Sequence, residues 1–90
     1  MVWRIELSET AGRRLSKLPK ADAKRITGFL RDRLASRDDP RSIGTPLKGN
    51  RYADLWRYRV GDYRLIAQVR DATLTILIVD LGHRSRIYRR

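Results

Sequence analysis

The first third of the chain changes from an alternating to a helical pattern of apolar residues. Residues Val2–Leu7 alternate apolar and polar side chains, and a period of two is typical of a β-strand. Ser8 follows as a suitable helix N-cap, and apolar residues then recur at helical spacing until Pro19. Because proline suits the first turn of a helix, a second helix is predicted from Pro19, with an apolar stripe formed by Ala23, Ile26, Phe29, Leu30 and Leu34.

The second half of the chain predicts a meander of three strands. Residues 36–50 are mostly polar and contain both proline and glycine, as is typical of a surface connector. Alternating runs then predict strands at 53–60, 63–70 and 73–81. The expected order is βααβββ, an α+β fold in which two N-terminal helices pack on one face of a small, antiparallel-rich sheet. Residues 1–90 are expected to form a single domain.

The first turn of this meander fixes the pairing of two arginines. Gly61-Asp62 lies between two alternating runs, which indicates a two-residue hairpin turn with positive φ at Gly61. Such a turn places Arg59 directly opposite Arg64. Like charges in that position cost about 0.2 to 1 kcal/mol relative to a neutral pair. The fold does not need this arrangement, and an anionic ligand would explain it.

The second turn, predicted at 71–72, would pair Val69 with Leu74 and Leu65 with Ile78. The face of the sheet toward the helices would then be apolar, formed by Trp3, Ile5, Leu7, Trp56, Tyr58, Leu65, Ala67, Val69, Leu74, Ile76 and Ile78. The opposite face would be mixed, formed by Leu55, Ile66, Leu77, Val79 and Leu81 together with Arg57, Arg59 and Arg64. Such a face favours contact with a partner.

Composition limits the classes of partner and site. Lys and Arg number 21 against 10 acidic residues, giving a formal net charge of +11, so polyanions are the expected partners. Cysteine is absent from the sequence, which excludes disulfides and thiolate metal sites. One histidine and scattered carboxylates form no recognisable metal site. With no apolar run long enough for a signal peptide or a membrane span, a cytoplasmic protein without membrane contact is expected.

Three segments of the chain together resemble a known family. They are Leu47-Lys48-Gly49, the hairpin from Leu55 to Ile66, and a tail that contains Leu81-Gly82-His83-Arg84 and Ile87-Tyr88-Arg89. These motifs closely resemble the RelE branch of the RelE/ParE toxin superfamily, and the βααβββ order matches as well. The resemblance implies a RelE-like microbial ribonuclease fold. It also implies a metal-independent endoribonuclease, without a cofactor, that cleaves mRNA in the ribosomal decoding site and inhibits translation.

The resemblance also implies roles for individual residues. Carried over position by position, the catalytic residues are Arg57, Arg59, Arg64, Arg84 and Tyr88. The remaining basic residues of the same motifs are expected to bind RNA, namely Lys48, Arg86 and Arg89. Strand positions that are often lysine in this branch are arginine here.

Cleavage by a ribose 2′-hydroxyl needs a base, a stabiliser of charge on phosphorus, and a proton donor for the departing 5′-oxygen. Arginine stabilises phosphate charge well but keeps its proton near neutral pH, so Arg57 and Arg59 are poor bases. Tyr88 could act as the base if neighbouring cations lowered its pKa, or it could orient the nucleophile. His83 is a possible base because histidine exchanges a proton near neutral pH.

The expected partners are a cognate antitoxin, the ribosome and mRNA, with DNA bound only through a toxin–antitoxin complex. Two alternatives stay open. A ParE-like protein would share the fold but inhibit DNA gyrase without nuclease activity. A generic basic domain would bind nucleic acid through charge alone, although the aromatic residues here form no predicted stacking platform.

Overall fold

Two helices and a five-stranded sheet make up the described part of the chain. The structure is a computed structural model that describes residues 3–48 and 54–83. Its regular elements are β1 (Arg4–Leu7), α1 (Glu9–Ser16), α2 (Lys20–Gly28), β2 (Thr45–Pro46), β3 (Leu55–Val60), β4 (Tyr63–Arg70) and β5 (Thr75–His83). The strand order is β1-β5-β4-β3-β2. Because only the β1–β5 pair is parallel, the predicted α+β fold with a mainly antiparallel sheet is confirmed.

Ser8 joins the start of α1 to the sheet, as well as capping the helix. Its Oγ accepts a hydrogen bond from the Ala11 N–H at 3.0 Å, which confirms the predicted N-cap. The same hydroxyl donates to the Val79 carbonyl at 2.6 Å, and the Ser8 N–H donates to the Ile78 carbonyl at 2.9 Å. The N-terminus of α1 is therefore fixed against β5.

A π-turn over Phe29–Leu34 continues α2 and was not predicted. It closes with a hydrogen bond from the Ala35 N–H to the Leu30 carbonyl at 2.9 Å. In a regular α-helix, side chains four residues apart drift by about 40° at each step. The wider π-turn reduces this drift, so Ile26, Leu30 and Leu34 all stay buried against the sheet.

Most of the predicted sheet core is confirmed, with two exceptions. Buried residues from both strands and helices form one apolar cluster: Trp3, Ala11, Ile26, Leu30, Leu34, Tyr58, Val60, Leu65, Ala67, Ile76, Ile78 and Leu81. The prediction was wrong for Leu7 and Leu74, each 40% exposed. Leu7 ends the edge strand β1, and Leu74 has a left-handed backbone with φ 49° at the end of the turn before β5.

The hairpin register is confirmed, whereas the predicted register between β4 and β5 is wrong. The turn before β5 is a 3₁₀ turn over Asp71–Thr73 followed by Leu74, so Val69 faces Ile76 instead of Leu74. Because side chains alternate between the two faces of a sheet, a shift of two residues leaves each side chain on its predicted face.

A β-bulge then moves the end of β5 by one residue. Ala67 pairs with Ile78 and Ile66 pairs with Asp80, which leaves Val79 as the extra residue. Leu81 therefore lies opposite Leu65 and is fully buried toward the helices. The sequence had predicted Leu81 on the opposite, mixed face, because strict alternation does not anticipate a bulge.

Ionisation of the buried Tyr58 hydroxyl is expected to lower the stability of the fold at alkaline pH. The Tyr58 ring is 1% exposed, and its hydroxyl donates to the Pro40 carbonyl at 2.9 Å. Burial raises the pKa of Tyr58 to about 12. The folded pKa exceeds the unfolded value of about 10, so the protonated Tyr58 hydroxyl stabilises the folded state. This stabilisation is complete below pH 10 and is lost between about pH 10 and pH 12.

Tyr58→Phe should therefore flatten the alkaline part of the stability curve. Near neutral pH the variant should be less stable by about 0.5 to 1.5 kcal/mol, because one hydrogen bond is lost. Urea unfolding at a series of pH values measures the difference from wild type. That difference should shrink above pH 10, and two parallel curves would contradict the assignment.

Candidate functional site

Three arginines share the face of the sheet that points away from the helices. Arg57 and Arg59 alternate along β3, and Arg64 follows the hairpin turn on β4. Arg59 pairs directly with Arg64, and Arg57 pairs with Ile66, as predicted. The turn that sets this register has Gly61 at φ 59°, a conformation that glycine adopts without steric cost. We call these three side chains the arginine face.

The guanidinium groups of the arginine face are not neutralised within residues 3–48 and 54–83. None of them forms an ion pair there, whereas Arg31 is paired with Asp32 at 3.0 Å. Arg64 is half-buried, and its Nε is fully buried without a hydrogen-bond partner. A buried donor left unsatisfied typically costs about 1 to 3 kcal/mol. Because their charges have no acidic partner in these ranges, the three guanidinium groups are suited to bind an anion.

The acidic residue closest to this face in register is already engaged. Asp80 pairs with Ile66 across β4 and β5, two positions from the Arg64–Gly82 pair. Its Oδ1 lies 3.1 Å from Arg14 Nη1 and also accepts the Leu81 N–H at 2.8 Å. Sequence analysis missed this role of Arg14, because no local pattern links a helix residue to a strand so distant in the chain.

His83 lies on the other side of the sheet from the arginine face. It pairs with Tyr63, and the two rings meet edge to face with centroids 5.8 Å apart. The Tyr63 hydroxyl donates to Asp22 on α2 at 2.8 Å, which places this side chain pair toward the helices. The structure therefore does not bring His83 together with Arg64.

The other predicted site residues are only partly described. Lys48 is exposed, one residue after Leu47, whose N–H donates to the Leu55 carbonyl at 3.0 Å. It therefore lies near the start of β3. Four predicted residues lie outside the described part of the chain, namely Arg84, Arg86, Tyr88 and Arg89.

The chemistry open to the arginine face is the binding of phosphate. Arginine presents several donors in a planar fork that matches phosphate oxygens and remains charged at neutral pH. In the described ranges, no group of three or more His, Asp or Glu side chains could hold a metal ion. None of the helices found between residues 3 and 83 is both long and apolar enough to cross a membrane.

Comparison with known proteins assigns the chain to a family. Residues 5–88 match the family described as ParE toxin of type II toxin-antitoxin system, parDE. Among characterised proteins, the chain is 32% identical to Toxin RelG of Mycobacterium tuberculosis over 90 residues, covering all of both chains. It is 30% identical to Toxin RelE of the same organism over 87 residues, covering 97% of this chain and 87% of that protein.

Solved structures agree in fold. A chain of the toxin–antitoxin complex RelBE2 of M. tuberculosis superposes with a TM-score of 0.84 at 28% identity, covering 94% of each chain. A chain of the archaeal RelE–RelB complex of Pyrococcus horikoshii gives a TM-score of 0.74 at 33% identity, covering 96% of this chain and 99% of that one. The chain therefore belongs to the RelE/ParE family, the toxins of type II toxin–antitoxin systems.

Proposed function

We propose that this toxin is a ribosome-dependent endonuclease that cleaves mRNA without a metal ion and so inhibits translation in the cytoplasm. One observation carries the proposal: three arginines that form no ion pair with the described residues share one sheet face, and one of them has a buried Nε without a hydrogen-bond partner there. The relatives named RelG and RelE support the RelE-like assignment.

In this mechanism the ribose 2′-oxygen attacks the adjacent phosphorus, and the bond from phosphorus to the 5′-oxygen breaks. Arg57, Arg59 and Arg64 bind the scissile phosphate and stabilise the negative charge that develops on it. Arg84 stabilises charge or donates the proton that the departing 5′-oxygen takes up. Tyr88 positions or deprotonates the 2′-hydroxyl.

The remaining assignments concern the base and the RNA strand. We assign the base to Tyr88 in preference to His83, because the His83 ring contacts Tyr63 on the side toward the helices. A base must lie within hydrogen-bond reach of the proton that it removes. Lys48, Arg86 and Arg89 serve as contacts to the RNA backbone.

The test is translation of a defined mRNA in a purified bacterial system, with cleavage positions mapped by primer extension. The toxin should cut within codons when ribosomes are present and should leave the same mRNA intact without them. Intact mRNA at an excess of toxin over ribosomes would refute the proposal.

A second candidate follows from the matched family, whose description names the ParE toxin. A ParE-like toxin would inhibit DNA gyrase and would have no nuclease chemistry. Supercoiling by purified gyrase distinguishes the two functions, because a RelE-like toxin leaves it unchanged.

The protein partner is a cognate antitoxin, and charge should govern how quickly it binds. Several solved relatives are toxin–antitoxin complexes, and this chain carries a net charge of +11. An acidic amphipathic antitoxin segment would be steered toward such a surface. Contact with DNA is expected only through the toxin–antitoxin complex.

The association rate of toxin and antitoxin should fall about tenfold or more between about 50 and about 500 mM salt, because the Debye length shortens over this range. Stopped-flow mixing at several salt concentrations measures it. An association rate independent of salt would contradict electrostatic steering.

A further inference from the structure

A basic cavity lies beside the arginine face, where α2 and the π-turn approach the hairpin. Its volume is about 510 Å³. Its walls include Arg25 from α2, Arg33 from the π-turn and Arg59 from β3, together with the apolar side chains of Phe29 and Ile43.

The charges of this cavity are not balanced by its own carboxylate. Arg25, Arg33 and Arg59 form no ion pair with any residue in the described ranges. Asp32 also lines the cavity, but both of its oxygens accept from Arg31, at 3.0 and 3.4 Å. The cavity therefore presents the charges of Arg25 and Arg33, with Arg59 at its edge, beside a carboxylate that is already neutralised.

One of these arginines lies against the hairpin turn. A Cβ at position 61 would lie 2.7 Å from Arg25 Nη1, so this guanidinium closely approaches the backbone at Gly61. The same turn sets the register of Arg59 and Arg64. The cavity and the arginine face are thus adjacent, and Arg59 belongs to both.

We propose that this cavity is a second phosphate subsite, which binds an RNA phosphodiester other than the scissile one through Arg25 and Arg33. The inference rests on the proposed endonuclease function. RNA is favoured over an acidic protein segment because Arg59 connects the cavity to the face that would hold the scissile phosphate. The planar fork of arginine also suits phosphate oxygens.

The experiment compares R25Q/R33Q with the control R4Q/R13Q in the purified translation system. Each variant removes two exposed arginines that have no ion pair in the described part of the chain. R25Q/R33Q should raise the ribosome concentration for half-maximal cleavage about tenfold. It should also reduce the slope of log affinity against log salt by about 0.7, as expected for one lost phosphate contact.

Cleavage at saturating ribosomes should stay within about threefold of wild type, because the scissile phosphate is held by other residues. R25K/R33K should be intermediate, since it keeps the charges but not the paired donors. Equal behaviour of R25Q/R33Q and R4Q/R13Q would overturn the inference. So would a loss confined to antitoxin affinity, which would assign the cavity to a protein carboxylate.

Neutral methylphosphonate linkages beside the scissile phosphate identify the source of the bound phosphate. If the linkages raise the ribosome concentration for half-maximal cleavage by wild type to the level of R25Q/R33Q, and do not raise it further for the variant, the bound phosphate is in the mRNA. If the linkages have no effect on wild type while R25Q/R33Q still needs more ribosomes for half-maximal cleavage, the bound phosphate is in ribosomal RNA. Both results support the subsite. Absence of cleavage by wild type would instead refute the endonuclease function itself.

Discussion

Arg64→Ala is expected to lower the rate of mRNA cleavage in ribosomes by about 10²- to 10³-fold, the usual loss when one preorganised donor to a developing charge is removed. The same change should leave the free energy of unfolding unchanged or slightly higher. Truncation removes a buried, unsatisfied Nε and relieves the cross-strand pairing with Arg59. Activity and stability should therefore respond in opposite directions.

Single-turnover cleavage of mRNA in programmed ribosomes measures the activity, and urea unfolding measures the stability. Arg13→Ala is the matched control, because it removes an exposed arginine from α1 without changing the arginine face. Arg64→Lys should recover part of the rate, since it restores the charge without the fork. Wild-type cleavage by Arg64→Ala would exclude this residue from the chemistry.

Leu81→Ala is expected to lower the free energy of unfolding by about 2 to 5 kcal/mol, as large-to-small changes in a packed core do. Leu81 is fully buried in the cluster between sheet and helices because of the β-bulge at Val79. Val79→Ala is the control, with an expected loss of about 1 kcal/mol or less, since Val79 is only half-buried.

Chemical denaturation of both variants, at equal concentration and near neutral pH, measures this difference. The comparison tests the bulge directly. If strict alternation held to the end of β5, Val79 and Leu81 would share one face and the two losses would be similar. A loss for Val79→Ala that equals or exceeds that for Leu81→Ala would contradict the observed register.

The hairpin that carries the arginine face could be predicted because its turn chemistry is local. Gly61-Asp62 allows a two-residue connection, and the pleat then decides which side chains share a face. Arg57, Arg59 and Arg64 follow from that single feature. Ser8 was predicted as an N-cap for the same reason, since the bond that it accepts from Ala11 is local.

Features that depend on distant contacts could not be predicted. Leu74 adopts a left-handed conformation that is uncommon for leucine, so the length of the turn before β5 was missed. Neither the bulge at Val79 nor the π-turn after α2 has a sequence signal in the patterns used. Strand β2 has only two residues, which is too few to show an alternating pattern in the sequence, so its pairing with β3 could not be predicted either.

The placement of the candidate site residues could be predicted where it depends on the hairpin, but not where it depends on packing. The proton chemistry of histidine made His83 a possible base, and sequence alone does not show that its ring contacts Tyr63. The cavity lined by Arg25 and Arg33 could not be predicted, because sequence alone does not show that α2 and the hairpin approach each other.

The parallel pairing of β1 with β5 has a consequence for the timing of folding. Ser8 and Val79, which are hydrogen-bonded at this junction, are 71 residues apart in the chain. Contacts of such high sequence separation form late, since the loop-closure entropy must be overcome first. During its own synthesis the toxin cannot complete its sheet until β5 has left the ribosomal exit tunnel.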